Sequence, residues 1–195
     1  MRKLAVLTFI TLDGVMQAPG HPEEDTSGDF EHGGWAAGYW EEVMEQVNEE
    51  AMAQPFDLLF GRKTYEIFAG HWPNVQNSAH GDKLNNAIKY VATSTLKELT
   101  WKNSTPITGD IATEVSQLKK EEGPLLQIHG SSQLIHTLLA NDLIDEFRLW
   151  IFPLVLGSGK RLFERGSVPT NMTLLKTQST ADGVVMSIYR RVGTL

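Results

Sequence analysis

The sequence predicts an α/β domain with a mostly parallel sheet, helices on both faces of the sheet and an antiparallel hairpin at the C-terminal end. Apolar runs that resemble strands alternate with helical patterns for about 140 residues, as in parallel sheets. The first run, from Lys3 to Thr11, is apolar almost throughout, which is typical of a strand covered on both faces. The last two strand-like runs are joined at Asp182-Gly183, a pair that favours a hairpin turn.

The elements follow in order along the chain. A polar segment, 13–34, comes after the first strand, and loops of that length are usually functional or mobile. Apolar residues spaced by three and four predict a helix over 36–54, which Pro55 ends. The spacing and turn signals predict the remaining strands at 57–60, 88–93, 125–129, 146–155, 171–180 and 184–191, and further helices from Lys63 or Thr64 to Gly70, over 116–122 and over 133–140.

Composition narrows the class of protein. A chain of 195 residues fits one domain, 1–195, and the lack of cysteine excludes disulfides, thiolate metal sites and a cysteine nucleophile. It also agrees with a reducing compartment, so we expect a cytoplasmic protein. The net charge of −7 argues against nucleic-acid binding. The apolar run at 4–12 is too short for a membrane span, and its abrupt end at Asp13-Gly14 favours a strand over a signal peptide. The histidines lack zinc-type spacing, so no metal is expected.

Two familiar nucleotide motifs are absent from the sequence. No Gly-x-Gly-x-x-Gly follows the first strand, which excludes the usual dinucleotide fingerprint. The run from Gly157 to Arg161 superficially resembles a phosphate loop. It fails as a Walker A motif because Arg161 stands where Ser or Thr is needed and Leu154 where the first Gly is needed.

Two strand-to-helix junctions carry the strongest binding signal. In each, a buried strand meets a glycine, Gly61 or Gly130, and a helix opens directly after it. The first junction adds Arg62 and Thr64, and the second adds a pair of serines. Because exposed N–H groups and the positive end of a helix favour anions, the two junctions together predict a ligand with two separated phosphates. Two ordinary capped helices are the alternative.

Several motifs make the chain resemble the dihydrofolate reductase-like superfamily. Gly61-Arg62-x-Thr64 resembles the cofactor-phosphate motif of dihydrofolate reductases, and His129-Gly130-Ser131 resembles their nicotinamide-side turn. The segment 153–163, with the pattern Pro-x-x-Leu-Gly-x-Gly-x-x-Leu-Phe, is similar to the C-terminal reductase domain of the riboflavin-biosynthesis bifunctional protein. Segment 9–15 and the Trp35 and His71-Trp72-Pro73 motifs resemble stand-alone bacterial members. The resemblance spans nearly the whole chain and implies a three-layer dihydrofolate reductase-like fold.

The resemblance also implies a cofactor, NADPH, and a set of residues around it. Arg62 is suited to a bidentate pair with the 2′-phosphate, which would favour NADPH over NADH. The implied cofactor residues are Gly61, Arg62 and Thr64 at the ribose phosphate, Thr93 and Ser94 near the adenine, and Gly130, Ser131 and Ser132 at the pyrophosphate. The implied substrate residues are Asp13, Leu156, Gly157, Gly159 and Arg161. Lys160 and Arg161 are either a substrate-phosphate anchor or a solvated turn.

The activity implied is that of an NADPH-dependent reductase resembling 5-amino-6-(5-phosphoribosylamino)uracil reductase, with hydride transfer to a C=N or C=O bond of a small heterocycle. Asp13 and Glu45 are the candidate catalytic proton donors. Two alternatives stay open: a reductase of the same fold with an unrelated small substrate, and a non-catalytic nucleotide-binding protein.

Two features bear on the substrate and on assembly. The 15–34 loop is longer and more acidic than in the family, and an acidic loop over the active site would discourage an anionic substrate. Related reductases are commonly dimers, so we expect a homodimer and a small-molecule substrate, with neither nucleic acid nor membrane as a partner. The aromatic residues Phe147, Trp150 and Phe152 belong either to the dimer interface or to the core.

Overall fold

The computed structural model describes residues 1–164 and 167–194, with eight strands and five α-helices among them. The strands are β1 (Leu4–Thr11), β2 (Phe56–Gly61), β3 (Lys89–Ala92), β4 (Ser104–Ile107), β5 (Leu125–Ile128), β6 (Glu146–Phe152), β7 (Thr170–Ser179) and β8 (Val185–Thr194). The helices are α1 (Trp40–Glu50), α2 (Arg62–His71), α3 (Ala79–Asn86), α4 (Ile111–Lys120) and α5 (Ser132–Ala140), with 3-10 turns at Ala37–Tyr39 and Trp72–Asn74.

The strands form an eight-stranded sheet in the order β4-β3-β2-β5-β1-β6-β8-β7. The pairs from β4 to β1 are parallel, whereas β8 runs antiparallel to both β6 and β7. Non-consecutive parallel neighbours require crossover connections, which the helices supply. The predicted fold class, a mostly parallel α/β sheet with antiparallel C-terminal strands, is confirmed.

The chain divides into two units of internal contacts. Unit 1 comprises Met1–Val6 and Met52–Asp145, and unit 2 comprises Leu7–Ala51 and the described residues from Glu146 onward. The single domain over 1–195 stays a prediction. In unit 1 every residue of β2 is buried, because both neighbours of this strand, β3 and β5, pair with it in parallel. Such strands need apolar side chains on both faces, and the sequence Phe-Asp-Leu-Leu-Phe-Gly nearly supplies them.

Two buried cations fix strands of unit 1. Arg2 forms an ion pair with Asp57 of β2 and donates to the carbonyl of Pro124 over 2.9 Å. Lys89 is fully buried at the start of β3, and its ammonium group lies 4.2 Å from the ring centre of Trp101. It also donates to three backbone carbonyl oxygens, those of Asn85, Ala87 and Lys102. These contacts satisfy charges that would otherwise be costly to bury.

Unit 2 has an aromatic core. Phe152 is fully buried and packs edge-to-face against Trp35, Tyr39 and Phe9, with ring centres 5.1 to 5.6 Å apart. Phe147 and Trp150 are at most 1% exposed. The sequence left open whether Phe147, Trp150 and Phe152 face a partner or the core. The structure places all three in the core, so they lend no support to a dimer interface.

Two elements were missed by the sequence patterns. Helix α3 has the polar sequence Ala-His-Gly-Asp-Lys-Leu-Asn-Asn and buries only Gly81 and Leu84, so it has no apolar stripe. Strand β4 contains Pro106, which argues against a strand interior but is tolerated at the edge of the sheet that β4 forms. The predicted helix over 36–54 is a 3-10 turn followed by α1, which ends at Glu50. Among the described residues, no helix is long and apolar enough to cross a membrane.

Candidate functional site

The two predicted junctions interlock in unit 1. Strands β2 and β5 pair in parallel, so their carboxyl ends lie at the same edge of the sheet. A Cβ atom at Gly61 would lie 2.3 Å from Ser131 Oγ, and one at Gly130 would lie 2.8 Å from Thr64 Oγ1. Each glycine therefore accommodates a hydroxyl of the other junction. Gly130 also has a φ of +154°, a conformation that L side chains rarely adopt.

The helices that open at these junctions have no side-chain caps. Gly61 precedes α2 and Ser131 precedes α5, and neither side chain accepts a hydrogen bond from its helix. In the same unit, Ser78 caps α3 by accepting from the N–H of Gly81, and Asp110 caps α4 in the same way. Free N–H groups at a helix start attract anions. The contrast marks the edge formed by α2 and α5 as the candidate anion site of unit 1.

Arg62 is the first residue of α2 and is exposed. Its guanidinium donates to both carboxylate oxygens of Glu66, one turn along the helix, over 3.0 and 3.2 Å. The Arg62 side chain is 43% exposed and that of Glu66 is 42% exposed. Exposed pairs of this kind contribute about 0–1 kcal/mol. The guanidinium can therefore exchange Glu66 for a phosphate at little cost.

The other predicted cofactor residues differ in their roles. Thr93 is buried, and its hydroxyl accepts from the N–H groups of Thr95 and Leu96 over 3.2 and 3.1 Å, so it shapes the turn after β3. Ser94 is exposed beside it. Ser132 is buried at the first position of α5.

His129 lies directly before Gly130 at the end of β5. Its ring contacts those of Phe60 and Phe68, and its Nε2 is 3.3 Å from Gln127 Oε1. Complete burial, with a smaller effect from His80, lowers the pKa of His129 to about 3. The imidazole is therefore neutral at physiological pH and adds no charge to the junction.

Unit 2 holds the predicted substrate residues around Asp13. One carboxylate oxygen accepts from the Thr11 hydroxyl over 2.6 Å and from the N–H of Leu156 over 3.2 Å. The other accepts from the N–H of Gly157 over 2.9 Å and from Arg161 over 3.2 Å. The Thr11 hydroxyl and the backbone N–H groups outweigh desolvation and hold the pKa of Asp13 below its ordinary value. Asp13 is an ionised carboxylate that fixes the 156–161 turn.

The long loop is bound to the same turn. Val15 forms an isolated antiparallel bridge with Arg161, and the N–H of Met16 donates to the carbonyl of Lys160 over 2.8 Å. The buried side chain of Gln17 accepts from the N–H of Lys160 over 2.9 Å. Its amide group donates to the carbonyls of Asp25 and Ser27, each over 2.9 Å. Gln17 therefore links the loop to the turn.

Apolar packing supports this attachment. Val15, Ala18 and Phe30 form a buried cluster, and Trp35 and Leu156 pack against it. A Cβ atom at position 159 would lie 2.7 Å from Val15 and 2.8 Å from Phe30, so only glycine fits beneath the loop there. The loop is an ordered part of unit 2.

Glu45, the second predicted proton donor, lies on the exposed side of α1 in unit 2. The sequence reasoning did not single out Gln17, Asp25 or Ser27, although these residues connect the loop to Lys160. No residue spacing announces a contact between positions more than 130 apart. The length and acidity of the loop were the available signal, and they did not identify the contacting residue.

Comparison with known proteins gives the family. The RibD C-terminal domain matches residues 2–186, which is nearly the whole chain. The chain belongs to the RibD C-terminal domain family. The uncharacterized protein YyaP of Bacillus subtilis (strain 168) is 32% identical over 136 residues, which cover 68% of this chain and 72% of YyaP.

Two solved structures share the fold of this RibD C-terminal family member. A putative riboflavin biosynthesis protein from Shewanella sp. PV-4 aligns with a TM-score of 0.65 and 19% identity, over 97% of this chain and 99% of that one. Dihydrofolate reductase from Enterococcus faecalis, complexed with NADP(H) and RAB-propyl, aligns with a TM-score of 0.60 and 15% identity, over 97% and 96% of the two chains. At these identities the similarity establishes the dihydrofolate reductase-like fold alone.

Proposed function

We propose that this protein is an NADPH-dependent reductase that transfers a hydride to a C=N or C=O bond of a small heterocycle, in the reaction class of 5-amino-6-(5-phosphoribosylamino)uracil reductase. The observation that carries the proposal is the pair of uncapped helix starts at Gly61 and Ser131, interlocked at one sheet edge. Membership of the RibD C-terminal family and the fold shared with an NADP(H)-bound dihydrofolate reductase support it.

The residues of this edge suit a dinucleotide. The N–H groups at the start of α2 and α5 offer donors to phosphates, and the glycines at 61 and 130 keep the backbone free of side chains there. Arg62 offers a planar fork of donors for the 2′-phosphate that distinguishes NADPH from NADH. Thr64, Ser131 and Ser132 add hydroxyl groups, and Thr93 with Ser94 would border the adenine. Bound NADPH supplies the hydride.

In unit 2 the chain's own residues would orient the substrate. Asp13 holds the backbone of Leu156 and Gly157 in place, and Gly159 allows the loop to pack on the turn. The hydrogen bonds to Asp13 favour its ionised form, so it suits a positioning role better than proton donation. Glu45 stays the predicted proton donor. A homodimer also stays a prediction, with apparent mass by light scattering as its test.

NADPH binding tests the cofactor assignment. We expect Arg62→Ala to weaken NADPH binding by about 10- to 100-fold, since a charge-assisted hydrogen bond contributes about 1.5–3 kcal/mol. Binding of NADH should stay unchanged, because NADH lacks the 2′-phosphate. Calorimetric titration of both nucleotides into wild type and variant measures the effect.

Two controls make the result specific. Glu66→Gln removes the carboxylate that Arg62 now pairs with, so NADPH affinity should stay equal or rise by a few-fold. The double variant Arg62→Ala, Glu66→Gln should remain weak, which shows that the loss does not come from an unpaired Glu66. Equal NADPH affinity in wild type and Arg62→Ala would contradict the assignment of Arg62.

Hydride transfer separates an enzyme from a binding protein. With NADPH bound, the absorbance of the reduced nicotinamide should fall when a pyrimidine or pteridine substrate with a reducible C=N or C=O bond is added. NADPH binding without oxidation by any member of such a panel would favour the non-catalytic alternative. Oxidation by an unrelated carbonyl compound would favour the reductase with a different substrate.

A further inference from the structure

The ammonium group of Lys160 is held by the long loop of unit 2. It forms an ion pair with Asp25 and donates to Ser27 Oγ over 2.7 Å. The Asp25 side chain is 19% exposed and that of Lys160 is 35% exposed. Ser27 also binds Asp25 directly, through its hydroxyl over 2.5 Å and its backbone N–H over 3.2 Å. An ammonium, a hydroxyl and a backbone N–H thus converge on one carboxylate.

This set of donors is one that phosphate groups also use in proteins. Phosphate oxygens accept from lysine ammonium groups, hydroxyls and backbone N–H groups, and the strong bonds are those with a charged partner. Burial opposes ionisation of Asp25, yet the hydrogen bonds from Lys160 and Ser27 prevail and lower its pKa to about 2. An anion of the protein itself therefore occupies these donors at physiological pH.

The position of Asp25 is fixed by its neighbours along the chain. Gln17 donates to the backbone carbonyls of Asp25 and Ser27 while its own oxygen accepts from the N–H of Lys160. The loop segment and the turn are therefore tied by backbone contacts as well as by the ion pair. The pairing of Asp25 with Lys160 is part of the packing of the loop.

The second cation of the turn is paired as well. Arg161 donates to Asp13 over 3.2 Å and to the carbonyl of Gly157 over 3.1 Å. The sequence offered Lys160 and Arg161 either as a substrate-phosphate anchor or as a solvated turn. In the structure they are neither, because each is matched by a carboxylate of unit 2.

We propose that Asp25 is a specificity residue that takes the place of a substrate phosphate on Lys160, so that the turn accepts an unphosphorylated heterocycle. The inference rests on the proposed function, which assigns substrate binding to this turn. It narrows the substrate class within that function, since a phosphoribosyl substrate would compete with a carboxylate held at high local concentration. The substrate would be a neutral pyrimidine- or pteridine-like base or its unphosphorylated derivative.

Removal of the Asp25 carboxylate tests the proposal. Calorimetric titrations with ribose 5-phosphate, inorganic phosphate and ribose would compare wild type, Asp25→Ala, Lys160→Met and the double variant. Glu31→Ala is the matched control, because it removes one exposed negative charge from the same loop. We expect Asp25→Ala to bind ribose 5-phosphate at least tenfold more tightly than wild type and Glu31→Ala do. The double variant should lose that gain, and ribose should show no difference.

The remaining arms decide between outcomes. A gain for ribose 5-phosphate and inorganic phosphate alike supports a phosphate site, and a gain for ribose overturns the proposal. Wild-type binding that Lys160→Met weakens tenfold also overturns it, because Lys160 would then be available despite Asp25. That arm needs no change at Asp25 and holds even if Asp25→Ala fails to fold. None of these titrations contains NADPH, so a failure of NADPH binding sinks the proposed function and leaves the result on Asp25 readable.

Discussion

The cofactor edge of unit 1 and the substrate turn of unit 2 use their polar groups in opposite ways. At the cofactor edge, the helices begin without side-chain caps, and Arg62 has only an exposed partner. At the substrate turn, Asp13 accepts four hydrogen bonds and Lys160 is held by two side chains. One region leaves its donors for a ligand, and the other satisfies them from within the chain.

The difference indicates what each region is prepared to bind. Donors without internal partners are stabilised by an incoming anion, whereas satisfied donors must first be released. A dinucleotide phosphate therefore suits the first region. The second suits a neutral ring that contacts a rigid backbone turn. If the contrast is correct, substitutions in the first region change ligand binding, and those in the second change stability.

The largest expected effect on stability belongs to Asp13→Asn. The amide keeps the shape of the side chain but replaces one accepting oxygen with an NH2 group, which faces donors such as the N–H of Gly157 and the Arg161 guanidinium. We expect the free energy of unfolding to fall by about 3 kcal/mol, since hydrogen bonds to charged groups contribute about 1.5–3 kcal/mol each. Urea denaturation followed by circular dichroism measures the change.

Two variants serve as controls for Asp13→Asn. Asp29→Asn makes the same chemical change at an exposed site in the loop, and Arg62→Ala removes an exposed cation in unit 1. Both should change the free energy of unfolding by less than about 0.5 kcal/mol. A similar small change for Asp13→Asn would break the contrast, because the turn would then be held by something other than this carboxylate.

A smaller effect is expected from Gly61→Ala. The new Cβ would lie 2.3 Å from Ser131 Oγ, so one of the junctions must shift. Overpacking of this kind costs about 2 kcal/mol, and NADPH affinity should fall with it. The double variant Gly61→Ala, Ser131→Ala removes the clashing oxygen and should regain most of the stability. No rescue by the second substitution would mean that the two junctions do not interlock as described.

The smallest expected effect is a dependence of stability on pH that separates the two regions. Burial lowers the pKa of His129 to about 3 and, together with Lys83, that of His80 to about 4. As pH falls below the ordinary histidine value of 6.5, the unfolded chain binds protons before the folded protein does, so stability decreases. Each histidine contributes up to about 1.4 kcal/mol per pH unit between the two values.

Unit 2 responds in a different window. The pKa of Asp25 is about 2 against an ordinary value of 3.8, so its contribution is present above pH 3.8 and is lost below it. The variant His129→Phe keeps a ring among Phe60 and Phe68 and removes one titrating group. Urea titrations from pH 7 to pH 5 should show a shallower slope in this variant than in wild type. Equal slopes would show that His129 is not the group responsible.

Much of the fold was predictable because it depends on local patterns. The apolar strand Leu4–Thr11, the glycine that ends β2 and the Asp182-Gly183 turn each carry their signal within a few residues. Helix α3 was not predictable, because a serine cap and two buried residues stabilise it instead of an apolar stripe. Strand β4 was hidden by Pro106, which only its edge position permits.

The candidate site divides in the same way. Its glycines and Arg62 stand next to the strand ends that position them, so the sequence indicates both the residues and their surroundings. The partners of Lys160 come from a loop whose path is set by tertiary packing. Asp25 is one of several acidic residues in that loop, and only the contact made by Gln17 determines which of them meets the lysine.

The attachment of the loop to the turn has a consequence for the exchange of segments between relatives. Gln17 bridges both segments, and position 159 tolerates only glycine beneath Val15 and Phe30. A graft of residues 15–34 alone would therefore bring an acidic loop to a turn that cannot receive it. The loop and the 156–161 turn form one inherited cassette, and chimeras that aim to alter substrate choice need to transfer the two together.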